Sequence, residues 1–423
     1  MKKIRGVLAN IFFVVLLLYL IVAQKTYAQS TYDNNVFDPG VKTVELYNTA
    51  KQGSFPIFNL NSSETVTLAF DDLAGGSRNF NYTLEHCDEN WNPSDLTSAE
   101  YLKGFAEDKI ANFSYSTATT QKYTHYSLKL PNENIAPKIS GNYIIKVYED
   151  GDQSKMILTR KLYVIAPQIT IEASVVPSVN AQQTNQKINF TLNYGALKVE
   201  SPSGEIHTLV MQNGVTETLQ ANTDPASIKG NQLVYDDVST NDFLGGNEFR
   251  HFDTRSLKVK TDRILHISQD SDTVVLLTDP DRSKQPYTFE YDLNGNFYVL
   301  NQDGDDPHVD ADYCYVIFSL STNRSPDDGT PYILGQFNNF KVDETSKMYF
   351  NPKTGKYVQS QFLKQGVYDY KYIWVSFDKP DYSAFEGSHF ETENDYSVLV
   401  YYQPAGAKYQ SLAGYKELNS NRK

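Results

Sequence analysis

The chain has 423 residues, room for roughly two to four domains, and a formal net charge of −13 with no basic stripe, which excludes an electrostatic footprint for nucleic acid. Its 31 Tyr and 23 Phe, against 2 Trp and 4 Met, suit pleated sheets and set the fold class as all-β. Past residue 28 no apolar run approaches the ~20 residues a membrane-spanning helix needs, and irregular connections between strands of uneven length argue against an outer-membrane barrel.

Lys2, Lys3 and Arg5 open the chain, residues 11–23 form an apolar run without a charge, and Thr26-Tyr27-Ala28 puts small residues where a signal peptidase reads them. Residues 1–28 are therefore expected to be a signal peptide cleaved near Ala28, delivering a protein to the periplasm. No cysteine follows the run, so no lipoprotein anchor is expected. Cys87 and Cys314 lie far apart in different expected domains, and both read as small buried apolar residues rather than a bridge.

Residues 32–165 read as a first sandwich. Strands are expected at 41–47, 65–70, 123–130, 142–148 and 156–165, and at 80–85, where Phe80, Tyr82 and Leu84 alternate with Asn81, Thr83 and Glu85. Trp91 is expected as a core ring of this sandwich. Ala166-Pro167 marks a boundary, because proline cannot pair within a central strand. Residues 166–302 form a second β-rich unit with strands at 169–176, 188–194, 206–211, 232–235, 264–267 and 273–277. Residues 303–404 form a third, with strands at 313–320, 332–340, 366–375 and 396–402 and a hairpin across 351–355. Residues 405–423 read as a polar tail that frays. The expected architecture is three tandem immunoglobulin-like, early-set β-sandwiches.

Patterns that carry chemistry are missing. Asp303, Asp305, Asp306, Asp310 and Asp312 crowd one loop with His308, but the glycine and glutamate positions of a calcium loop are not matched, so the loop reads as solvated. The seven histidines are scattered singly, and His86 and Cys87, adjacent on a strand, point to opposite faces. There is no nucleophile elbow and no Cys-His protease pattern. The reading is a non-enzyme with no cofactor, no metal and no small-molecule substrate.

The runs EHCDENWNPSD, AEYLKGF, THYSLKLP and SGNYIIKVYEDG, followed by GGNEFRHFD at residues 245–253, resemble the plug protein of the type IX secretion system of Bacteroidetes, in the same order and over about residues 32–402. That resemblance implies a periplasmic subunit, associated with the inner face of the outer membrane, that closes the periplasmic mouth of the translocon barrel while no substrate passes. Its partner would be that barrel protein.

The segment NDFLGGNEFRHFDTRSL supplies the partner-binding candidates. Phe243, Phe249, Arg250, Phe252 and Arg255 combine aromatics with arginine around a Gly-Gly turn, the side chains that make interface anchors. The competing reading is a crossover whose rings pack inward. The third unit, with LGQFNNF, GVYDYKYIWV and YSVLVYY, resembles an early-set domain of the starch-binding kind, whose glucan-binding members stack sugars on exposed Trp. That resemblance implies Trp374 and Phe340 as glycan contacts and gives the alternative function, a glycan-binding accessory protein.

Overall fold

Alternation of apolar and polar residues builds strands at nearly every expected place. In the computed structural model, residues 30–421 are described except 196 and 223; the expected signal peptide lies outside the described residues. Tyr32–Lys423 forms one compact unit.

In the first sandwich, strand Gly141–Glu149 lies between Met156–Ile165 and Phe80–Cys87 in one sheet. Strands Val41–Asn48, Val66–Asp72, Thr124–Leu130 and Phe113–Tyr115 form the other sheet. Phe70, Phe80 and Tyr126 pack between the sheets with centroids 4.8–5.4 Å apart, Phe80 edge-on to the other two. Strands 141–149 and 156–165 are buried on both faces, although Asn142, Lys146, Thr159, Arg160 and Lys161 interrupt their apolar residues. Tyr143, Ile145 and Val147 face this core. Ile144 faces the other way, with Tyr163 and Ile165, onto Leu209, Leu399, Tyr401 and Leu412 of the middle sandwich. Trp91 belongs to that junction, edge-on to Tyr163 at 5.3 Å, and not to the first core as expected.

The middle sandwich closes with the end of the chain. One of its sheets orders Thr170–Pro177, Asn185–Asn193, Gln232–Tyr235 and Ser227–Lys229. The other orders Gln220–Asn222, Ile206–Gln212, Asp395–Tyr402 and Ser411–Asn419. The strand expected to end the third unit, 396–402, therefore pairs with Ile206–Gln212 instead. The expected polar tail is a nine-residue strand paired along its length with Asp395–Tyr402. Its alternation is blurred because Gly414 replaces a side chain where a Cβ would press on Ile169 O and Val400 at 3.1–3.2 Å.

The third sandwich is thus inserted in the middle one, and it begins well before residue 303. Arg250–Asp253 and Phe297–Val299 flank Gly366–Ser376 in one sheet. Thr273–Leu276 runs parallel to Tyr313–Ser321 in the other. These partners are remote in sequence, and alternation identifies a strand without naming its neighbour. Phe252 and Phe297 each stack on Tyr368 at 5.2 Å, and Trp374 and Phe385 fill the same core.

Truncation after residue 404 is expected to lower the melting temperature by more than ~10 °C or prevent folding, because it strips the partner strand from Leu399 and Tyr401. A fraying tail would leave thermal unfolding unchanged.

Candidate functional site

The segment after Asp242 crosses from the middle sandwich to the third. Strand Asp242–Leu244 pairs with residues 185–187, and Arg250–Asp253 pairs with residues 367–370. Outgoing and returning chains are laced together here. His389 N donates to Gly246 O at 2.8 Å, and the Asn394 Nδ2 and Thr392 Oγ1 groups donate to Gly245 O and Gly246 O. A Cβ on Gly245 would sit 2.0 Å from His389 O, so only glycine permits the approach.

Four of the five partner-binding candidates lie inside. Phe243 packs on Tyr396, Phe249 on Phe340, and Phe252 on Phe318 and Tyr368. Arg250, 6% exposed, binds both Glu386 oxygens through Nε at 3.1–3.2 Å and Asp279 through Nη1 at 3.1 Å. Arg263 joins it on Asp279 and Arg282 on Glu386. Tyr370 and Tyr372 hydroxyls donate to the other Asp279 oxygen at 2.9 and 2.8 Å. Burial pushes the Glu386 carboxyl up, but Arg250 and Arg282 outweigh it and hold it below the usual range. Arg255 alone is exposed, folded back on Asp253 at 2.6 Å. The alternation that suggested interface anchors serves packing. The two glycan candidates share this correction: Trp374 and Phe340 are each 4% exposed and offer no face to a sugar.

A second cluster joins the first sandwich to the third. Asp71 and Lys364, both buried, pair at 2.7 Å. His125 Nδ1 lies 2.7 Å from the same carboxylate, and Tyr313 OH donates to it at 2.7 Å. Lys364 also donates to His308 O at 2.8 Å and sits 4.0 Å from the Tyr123 ring centre. Burial pushes the Asp71 carboxyl up, but Lys364 and His125 prevail and lower it. The acidic loop contributes to this seam as a scaffold. Asp312 accepts the N–H groups of Thr120 and Gln121 at 2.6 and 3.1 Å, and Asp310 accepts those of Asp305 and Asp306. Among the described residues no group of three His, Cys, Asp or Glu is placed to hold a metal ion. Cys87 and Cys314 are buried and free.

Where the three sandwiches meet, a cleft of about 350 Å³ remains. Glu45 lies on its wall, bonded to Gln52 at 2.7 Å, with its pKa pushed up to about 7 by burial. Arg160, also on the wall, donates to the Asn35 and Thr159 carbonyls, and burial pushes it down to about 10. Asn294 bridges Glu393 and Asp395 across the boundary between the third and middle sandwiches. The walls are polar and mostly satisfied from within, which suits a joint more than a substrate pocket. None of the partners Asp71, Lys364, Asp279 or Glu386 carries a local sequence signal; the only trace is that ionisable residues interrupt strands or flank them.

Two measurements check these clusters. Arg250→Met leaves Asp279 and Glu386 short of a buried counter-charge and is expected to cost about 3 kcal/mol in urea unfolding. Burial also pushes Glu248 up to about 7 and, with Asp292 beside it, Asp369 up to about 8. For these and Glu45 the folded value exceeds the unfolded ~4, so their stabilising contribution is full below pH ~4 and is lost as pH rises through 7–8. Asp71 and Glu386, lowered, contribute above the unfolded value and lose it on acidification. Stability is expected to peak near pH ~5 and decline toward pH ~8, with Asp369→Asn flattening the alkaline limb. A urea midpoint that climbs steadily from pH 5 to 8 would contradict this.

Comparison with known proteins bears on what such a body is. The family model for the first domain of the type 9 secretion system plug protein matches residues 41–166, the first sandwich. A crystal structure of a hypothetical protein from Parabacteroides merdae, 32% identical, superposes with a TM-score of 0.88, covering 92% of this chain and 100% of that one. Among curated proteins none matches. The family match on the first sandwich accords with the motif order along the chain, and the chain belongs to the type IX secretion system plug protein family.

Proposed function

We propose that this protein is a non-enzymatic periplasmic subunit that binds the periplasmic opening of the outer-membrane translocon barrel of the type IX secretion system and seals it. The observation that carries this reading is the plug-family match over the first sandwich. The construction of the body is in keeping with it. An apolar junction ties the first sandwich to the middle one, an ionic seam ties the first to the third, and a laced crossover ties the third to the middle. A seal needs a body that keeps its shape and fits a rim, and it needs no reaction. In this reading the chain reaches the periplasm through a signal peptide cleaved near Ala28 and stays at the inner face of the outer membrane through its partner. The glycan-binding reading has no observation in its favour, since both of its candidate rings are buried.

Entry of a large antibiotic normally excluded by the outer membrane tests the seal. Deleting the gene is expected to increase entry, restoring it to reverse the increase, and deleting the barrel gene as well to abolish it. Unchanged entry in the single deletion would sink the sealing role.

A further inference from the structure

The hairpin joining strand Gly366–Ser376 to strand Lys379–Asp381 turns through Phe377 and Asp378, whose φ angles are +50° and +59°. Two successive residues in the left-handed region make a type I′ turn, a position dominated by Asn-Gly and Asp-Gly because a Cβ there crowds the next carbonyl. Phenylalanine is strained in that place. Packing does not compensate: Phe377 is 93% exposed, the highest value of any large apolar side chain among the described residues. A ring that is both strained and unburied is a local conflict of the kind met at functional positions.

The backbone beneath the ring is held by pairing on both sides. Ser376 pairs with Lys379, Val375 pairs with Pro380 on one side and Thr330 on the other, and the Ser376 hydroxyl donates to Asp328 O at 2.6 Å. Below the tip, half-buried Val375, Tyr332 and Tyr382 continue an apolar face over Ile373. Around the tip, Asp327, Asp328, Asp378 and Asp381 are all exposed, as is Lys379, while the Lys371 amine lies 5.6 Å from the Tyr382 ring centre below it. The hairpin ends in an exposed aromatic knob with an acidic collar.

We propose that Phe377 is the knob by which this protein docks, seating in an apolar socket with a basic rim on its protein partner. The proposal rests on the docking reading above and adds the contact surface. The collar favours a protein socket over a bilayer, since anionic headgroups repel carboxylates while a Lys/Arg rim attracts them and speeds encounter. A ring carried on a paired hairpin requires little backbone ordering on binding, and a ring buried at the centre of an interface is the usual form of an anchor.

Phe377→Asn separates this role from a structural one, because asparagine suits the turn. Binding to the purified, detergent-solubilised translocon barrel and thermal unfolding are measured side by side. The variant is expected to bind at least about tenfold more weakly while melting ~1–2 °C higher. Phe377→Tyr is expected to retain binding, and Asp378→Lys with Asp381→Lys to slow association. Unchanged affinity of Phe377→Asn beside a wild type that binds would overturn the knob alone. Weaker binding with a lower melting temperature would make Phe377 a structural residue. A wild type that does not bind the barrel overturns the docking reading together with this one. Phe377-dependent binding to phosphatidylethanolamine–phosphatidylglycerol vesicles without barrel binding would assign the knob to lipid.

Discussion

Everything beyond the first sandwich depends on one close crossing, where Gly245 and Gly246 pass the returning chain at His389. The sheet shared by Ile206–Gln212 and Asp395–Tyr402 needs both sides of that crossing in place, because the entire third sandwich lies between its two central strands. Backbone must approach backbone there, and any side chain at Gly245 would strike His389 O. The Gly245-Gly246-Asn247 run is therefore a statement about chain path. It fixes where an inserted domain leaves and re-enters its host, and the flanking phenylalanines and arginine follow as the packing and charge that hold the two tethers.

The junctions around this crossing use different physics. Between the first and middle sandwiches the contact is mainly aromatic and aliphatic, with Trp91 and Tyr163 against Leu399 and Tyr401, joined by the Tyr401 hydroxyl donating to Asn142 and by His207 beside Glu89. Between the first and third it is a buried ion pair with hydroxyl and imidazole partners. A buried pair adds little net stability once desolvation is counted, but a mispaired arrangement leaves a charge uncompensated, so it specifies a single geometry. An apolar junction, by contrast, tolerates small shifts at little cost. The combination gives a body whose units adhere through hydrophobic area and whose orientation is set by charge.

Strand existence was legible because most strands carry a period-two pattern, and the boundaries of Gln232–Tyr235 and Ile206–Gln212 emerge within a residue. Pairing was not. Ser411–Asn419 alternates weakly and ends in Lys416, Glu417 and Asn419, so its polarity resembled a tail; it is buried by pairing with the preceding strand Asp395–Tyr402 and by packing on the first sandwich, which is remote in sequence. The same limit applies to the site. Aromatics mixed with arginine mark a place where large side chains are buried, and whether against the same chain or another depends on tertiary contacts. For Phe243, Phe249, Arg250 and Phe252 the chain itself supplies them.

Three aromatic residues among those described adopt positive φ: Trp91, Phe340 and Phe377. The left-handed region costs a non-glycine residue about 1–2 kcal/mol, and burying a large ring returns about 1.5–3 kcal/mol. For Trp91 the return is local, from Tyr163 and from Lys161 4.9 Å over its ring. For Phe340 it comes from Phe249 and the surface left open by Gly295. In both, the backbone bends to deliver a ring to a junction between units, and the junction offsets the strain. Phe377 has the same backbone and no such surroundings within the molecule. By the logic that accounts for the other two, the burial that offsets its strain lies on another molecule.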